Sequence, residues 1–188
     1  MDANQNMKTD WIQTFTGKKF FPLEPEIEDI CIQDIAHSLS MQCRFAGHSK
    51  EFYSVAQHCN AMVHCWFPHP EQKELAKYAL LHDASEAYLT DIPRPLKYLP
   101  EFSFYRNAEK RLQKMIYVKF GLNPIEPEEV KKADREILCE EAMSKRIMSP
   151  VHPDWDARCE PLINFSPCTP EKAERIFFDN FQRLFNEV

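Results

Sequence analysis

Glycine is scarce in this chain, with three residues in 188. Loops that cradle phosphate with backbone N–H groups need several glycines at fixed spacing, so neither a P-loop nor a dinucleotide fingerprint is present. Any phosphate chemistry must use another device. Positive charge is also in deficit. Lys and Arg number 23 against 29 Asp and Glu, a formal net charge of −6. That balance argues against a nucleic-acid partner, whose phosphates are met by a basic face. It leaves room for a small anionic ligand, which a bound cation and one or two arginines neutralise locally. No apolar run approaches membrane-spanning length, and the start MDANQNMKTDW has no apolar signal-peptide core. The seven cysteines (Cys31, Cys43, Cys59, Cys65, Cys139, Cys159 and Cys168) form no C-x-x-C and are odd in number. Reduced thiols in a cytoplasmic protein are therefore expected, most of them as small core residues.

What is there is apolar and helical in period. A 44% apolar and 12% aromatic share implies a packed core, and the length suits one domain rather than two. Residues 1–10 are polar and read as a flexible start, leaving 11–188 as the domain. WIQTFTGKKFFPL has β-formers on both sides of Thr16-Gly17 and predicts a short hairpin. From Ile32 onward the spacing is helical through Ile35, Ala36, Leu39 and Cys43. A second helix is expected from Ser54, with Gln57 completing a capping box, to the residue before Pro68. PEQKELAKYALLHDASEAYL reads as one strong helix and DIPRPLKYLP as a proline-rich loop. FSFYRNAEKRLQKMIYVKF is amphipathic and stops at Gly121. PEEVKKADREILCEEAMSKRI opens at Pro127, and TPEKAERIFFDNFQRLFNEV is capped by Thr169 with Pro170 in its first turn. The architecture is all-α, a single helical bundle with a small N-terminal β-hairpin.

Three of these helices carry candidate metal ligands: His58 on the second, His82 and Asp83 on the third, and Asp134 on the fifth. Nitrogen and oxygen donors of this kind suit zinc, manganese, cobalt or iron. A lone His-Asp pair is common and by itself means little, but LLHDASEAYL places two titratable groups directly after an apolar run. Burial there is costly unless they are paired or metal-bound. Neighbours on a helix point about 100° apart, so both reach one ion only at the edge of a groove between packed helices.

SVAQH, ALLHDASEAYLTDIPRPLKY and KKADREIL resemble, in order, the three metal-binding motifs of the HD superfamily. The stretch HDASE followed by TDIPRPLKY is similar to YfbR-like bacterial 5′-deoxynucleotidases and to phage dATP triphosphohydrolases. The resemblance covers about residues 35–145. It implies an HD-domain bundle in which His58, His82, Asp83 and Asp134 hold a divalent ion (Zn, Mn, Co, Fe or Mg). Glu86 would orient or deprotonate the attacking water, Asp91 would sit beside the sugar and phosphate, and Arg44 would contact phosphate. Lys97 is a weaker phosphate candidate and Arg94 weaker still. DIAHSLS, RFAGHS and YSVAQH, holding His37 and His48, resemble a pattern of bacterial and phage HD hydrolases. His37 reads equally as a packed helix residue, and His48 as a second phosphate contact.

The expected activity is a metal-dependent phosphohydrolase acting on nucleotides, most simply a 5′-deoxynucleotidase that releases phosphate from deoxyribonucleoside 5′-monophosphates. The alternatives are a dNTP triphosphohydrolase and, in another class, a non-catalytic nucleotide sensor or assembly module. The TGKKF hairpin departs from the enterobacterial nucleotidases and leaves the substrate open. By analogy with the same enzymes a homodimer is expected, with a small-molecule partner and neither nucleic acid nor membrane. Cys59, His64 and Cys65 fit no common zinc spacing and read as helix-core residues. His69, His152 and the DWD at 154–156 read as loop or surface, and Phe177, Phe178, Phe181 and Phe185 as core packing or a subunit interface.

Overall fold

The computed structural model describes residues 10–153, 155 and 163–186. Within them the protein is mostly helical, with one small antiparallel hairpin. In that hairpin β1 (Ile12–Gln13) pairs with β2 (Lys19–Phe20), Ile12 opposite Phe20. Gly17 closes the turn at φ +83°, a left-handed conformation that glycine adopts without steric cost. Two strands of this length do not stand alone. Phe20 is fully buried and stacks on Tyr88, with ring centroids 3.9 Å apart. The Asp34 carboxylate accepts the Thr16 amide at 2.7 Å and its hydroxyl at 3.0 Å. These contacts fasten the hairpin to the bundle.

Helix α1 (Ile32–Met41) buries Ile35, Ala36 and Leu39, the stripe read in the sequence. It stops short of Cys43 because the chain there pairs with another segment. Cys43 bridges Ser54, the Gln42 carbonyl accepts the Val55 amide at 3.0 Å, and the Arg44 amide donates to the Tyr53 carbonyl at 2.8 Å. Helix α2 (Val55–Trp66) starts from the expected capping box, with the Gln57 amide on the Ser54 hydroxyl at 3.2 Å and the Ser54 amide on Gln57 Oε1 at 3.1 Å. It is the central helix, packed against α1, α3 (Lys73–Leu81), α7 (Glu128–Met143) and α8 (Pro170–Phe185). Val55, Ala56, Cys59, Met62 and Val63 of α2 all lie in the core. The Thr169 hydroxyl caps α8 by accepting the Lys172 amide. Phe177 is in the core, and Phe181 and Phe185 pack on Phe120, so the aromatic stripe is packing.

The segment expected as one helix over residues 70–89 is broken. It begins with a 3-10 turn (Pro70–Gln72), continues as α3, breaks at residues 82–85 and resumes as the short α4 (Glu86–Leu89). In the break the Ala84 and Glu86 amides bond carbonyls only three residues back, those of Leu81 and Asp83, at 3.0 Å. The Ser85 amide, which this leaves over, is met from outside. Gln113, on α6 (Ser103–Lys119), accepts the Ser85 amide at 3.0 Å and donates a second bond to the Leu81 carbonyl at 2.7 Å. The proline-rich segment also differs from a plain loop. It contains α5 (Arg94–Lys97) and a 3-10 turn (Pro100–Phe102), each with proline in its first turn, where a missing N–H costs nothing.

Cys31, Cys43, Cys59, Cys65 and Cys168 are free thiols. Cys159, Asp154, Asp156 and the polar start through residue 9 lie outside the described residues. No helix among the described residues is long and apolar enough to cross a membrane.

Gln113→Leu removes both side-chain bonds from the break. Stranding a buried backbone group costs about 1–3 kcal/mol, so the urea midpoint is expected to fall by a shift of that size. An unchanged midpoint would show that Gln113 does not hold the break.

Candidate metal centre

Each expected ligand arrives from a different structural cause. His58 lies on the core face of α2 and is fully buried. His82 and Asp83 are the first residues of the break after α3, where His82 still has right-handed helical dihedrals. Asp134 lies on α7, one residue beyond the buried Ala133. Their donor atoms converge. His58 Nε2 is 3.1 Å from His82 Nε2, 3.3 Å from Asp134 Oδ1 and 3.8 Å from Asp83 Oδ2. His82 Nε2 is 3.2 Å from Asp83 Oδ2 and 3.8 Å from Asp134 Oδ1. Donors bound to one ion at about 2.0–2.2 Å stand roughly 3–3.5 Å apart when adjacent; three of these separations lie in that range and two, at 3.8 Å, are wider, and His58, His82 and Asp134 form one group able to hold an ion, with Asp83 beside them. Side-chain exposure rises from 0% at His58 through 5% at His82 and 21% at Asp83 to 43% at Asp134. The cluster is closed behind the imidazoles and open on the Asp134 side, where a ligand could enter.

The hydrogen bonds behind the rings set their tautomers. His82 Nδ1 lies 2.8 Å from the Ala79 carbonyl, which only accepts, so that nitrogen carries the hydrogen. His58 Nδ1 donates at 2.8 Å to the buried carboxylate of Glu141. Both Nε2 lone pairs therefore face the centre, the state a metal requires. A second possible group, Cys59, His82 and Asp83, fits less well. It draws on His82 Nδ1, 3.9 Å from Cys59 Sγ, and that hydrogen already serves Ala79. Burial also pushes the Cys59 thiol up, keeping it protonated. Cys59 is a core residue, and His64 and Cys65 join no metal-holding group among the described residues.

A second wall, carrying Glu86, Asp91 and Lys97, lies near Asp83. Glu86 is buried, and burial together with the Asp83 and Asp91 carboxylates pushes its carboxyl well above the usual range, against Lys97 and Arg44. Lys97 Nζ lies 3.9 Å from Glu86 Oε1 and 2.5 Å from Glu109 Oε1. Helix α6 clamps this wall at three points. Tyr105 donates to the Thr90 carbonyl, Arg106 donates to the Lys97 and Leu99 carbonyls, and Glu109 holds the Lys97 ammonium. Thr90, just before Asp91, has φ 62° and ψ 156°, a strained conformation for a residue with a Cβ. Gln42 braces it, accepting the Asp91 amide and the Thr90 hydroxyl at 3.3 Å and donating to the Glu86 carbonyl at 2.9 Å.

Other sequence candidates are placed differently. The Arg44 guanidinium is spent on carboxylates, 3.0 Å from Glu141 Oε2 and 3.8 Å from Asp83 Oδ2. His37 leaves the site altogether, stacking on Phe15 and pairing with Glu174 at 3.0 Å. His48 is exposed and joins no ligand cluster among the described residues. Arg94 lies over the Tyr98 ring. Sequence reasoning missed Glu141 and Glu109. Glu141 carries a readable signal, because it falls seven residues after Asp134 on the stripe of Val130, Ala133 and Ile137.

The site's electrostatics have a consequence for metal uptake. Burial lowers the His82 pKa, but Asp83 and Asp134 outweigh it and raise the ring well above its ordinary value. His58 is also raised: burial and Arg44 lower it, and Glu141 and Asp134 prevail. Ligation needs both Nε2 atoms unprotonated, so binding expels protons held to a higher pH than the ordinary imidazole value of about 6.5. Apparent affinity for Zn or Mn is expected to climb at each step from pH 6 to 7 to 8 in a chelator competition, with proton release in weak buffer. A pH-independent affinity would contradict the assignment.

No family model matches the sequence. Two curated proteins do. An uncharacterized protein of Escherichia coli (strain K12), YfdR, is 39% identical over 182 residues, covering 93% of this chain and 95% of its own. An uncharacterized protein of Rhodobacter capsulatus is 32% identical over 178 residues, covering 91% of this chain and 81% of its own. With that identity over nearly the whole of both chains, the chain belongs to one family with YfdR of Escherichia coli.

Proposed function

We propose that the protein is a metal-dependent phosphohydrolase of nucleotides, most simply one that releases phosphate from deoxyribonucleoside 5′-monophosphates. The observation that carries the reading is the clustering of the His58 and His82 Nε2 atoms with the Asp134 carboxylate, and of Asp83 beside His82. A structural site would be closed on all sides, whereas this one opens at Asp134. Held by His58, His82, Asp83 and Asp134, a divalent ion would polarise a phosphate oxygen and make water more acidic.

The chain's own residues supply the rest. Glu86 stands where it can orient the attacking water and accept its proton. An upward-shifted carboxyl is better matched to that task near neutral pH than an ordinary one. The water oxygen bonds to phosphorus as the bond to the 5′-oxygen breaks, and the leaving oxygen takes a proton from the Asp91 side or from solvent. Lys97 offsets charge on the phosphoryl group, and Asp91, held by Gln42, faces the sugar. Arg44 and Lys97 already sit on Glu141 and Glu109. Among the described residues, each of these two cations thus has a carboxylate partner that a bound phosphate would have to share, and a longer polyphosphate would need further cations, which favours the monophosphate over the triphosphate. A homodimer belongs to the same proposal.

Two variants and one product assay test this. Asp83→Ala is expected to lose both the bound metal and turnover, while Glu86→Gln keeps the metal and loses about 10²–10⁴-fold in kcat. With dNMPs, NMPs and dNTPs offered alongside each of Mn, Co, Zn and Mg, orthophosphate from dNMPs is the expected product. Tripolyphosphate from dNTPs would favour the triphosphohydrolase. Tight nucleotide binding without hydrolysis under every metal would leave a sensor, and turnover by Asp83→Ala without metal would end the proposal.

A further inference from the structure

We propose that Glu141 is a positioning residue of the metal centre, and that with Arg44 it ties the ligand on α2 to the ligand in the α3–α4 break. This rests on the metal reading above. Helix α7 grips the His58 ring from both ends. Asp134 Oδ1 lies 3.3 Å from Nε2, and seven residues on, Glu141 Oε1 lies 2.8 Å from Nδ1. Residues seven apart share a helix face, so one face of one helix meets both nitrogens of one imidazole. The ring cannot rotate without breaking one of these contacts.

Glu141 is itself over-determined. Its side chain is fully buried, and Oε1 accepts the Tyr53 hydroxyl at 2.9 Å as well as His58. Its other oxygen faces Arg44 Nη2 at 3.0 Å. Among the described residues neither Glu141 Oε2 nor Arg44 Nε has a hydrogen-bond partner, so the contact is ionic rather than a directed fork. The same guanidinium reaches toward Asp83 Oδ2 at 3.8 Å through Nη1. Arg44 is set there by a tight local fold. Its amide is pinned to Tyr53, and Phe45 and Ala46 follow at φ 53° and 50°, strain that a bare surface loop would release.

A buried carboxylate is expensive and, for packing alone, an apolar side chain does as well. Accepting the Nδ1 hydrogen, by contrast, fixes the tautomer and makes Nε2 a better donor to a metal, a contribution of about 10–100-fold in affinity at other metal sites. Glu141 thus conditions the site without touching ion or substrate, and Arg44 holds both Glu141 and Asp83.

The test uses the full-length protein and the metal alone. Zn affinity is read by competition with a chromogenic chelator, and the His58 tautomer by ring 15N shifts of metal-free protein. Glu141→Gln is expected to bind Zn about 10–100-fold more weakly, and Glu141→Asp to recover part of that loss. A purely structural role would lower the urea midpoint of Glu141→Gln but leave its Zn affinity within about twofold of wild type, and would overturn the inference. If Glu141→Gln does not fold, the wild-type spectrum decides: hydrogen on Nδ1 of His58 supports the inference, and hydrogen on Nε2 alone overturns it. A wild-type chain that binds no divalent ion sinks the metal reading and this inference together, whereas equal Zn affinity of wild type and Glu141→Gln sinks only the inference.

Discussion

An imidazole with no solvent access must be answered at both ring nitrogens, and the answer to His58 organises the helices around it. Its Nδ1 requires an acceptor inside the core, which brings in Glu141 with the charge and the neighbours a buried carboxylate needs. Its Nε2 requires a partner toward the open side, which brings in His82, Asp83 and Asp134. Four elements therefore meet at one side chain: α2 that carries it, α7 that brackets it, the break after α3 that faces it, and the Arg44 turn that closes over the carboxylates. The apolar contacts of α2 supply burial, and this polar junction helps fix how those elements are turned relative to one another.

The break at residues 82–85 matters for the same reason. Adjacent side chains on a helix diverge by about 100°, yet at the edge of the break His82 Nε2 and Asp83 Oδ2 stand 3.2 Å apart, with Gln113 meeting the Ser85 amide and the Leu81 carbonyl behind them. The clamp from α6 does the equivalent task for the second wall. Tyr105, Arg106 and Glu109 hold Thr90, α5 and Lys97, so two walls of different origin lie near each other. Helix α6 contributes no candidate ligand, yet both walls lean on it.

Much of this is legible in the sequence where a local rule applies. The helices follow from apolar spacing, the start of α2 from Ser54 and Gln57, the start of α8 from Thr169 and Pro170, and the ligand residues from their motifs. What escapes depends on partners distant in the chain. LLHDASEAYL contains no glycine or proline to announce a break, because the cause is Gln113. Glu141 sits in the acidic run CEEAM and reads as a solvated residue until its place on the Val130, Ala133 and Ile137 stripe is counted. The carboxylates that Arg44 meets, Glu141 and Asp83, are not visible from its neighbours in sequence. The contacts that escape the sequence are those in which charge is answered across the bundle.

The central claim is that one ion is held by two imidazole nitrogens and two carboxylates. X-ray absorption of the Zn-loaded protein tests it most directly. The account predicts one ion per chain with only nitrogen and oxygen neighbours near 2.0–2.2 Å and the multiple scattering of two imidazoles. A sulfur neighbour at about 2.3 Å would hand the site to Cys59, and one imidazole or none would remove His58 from it; either result would contradict the account.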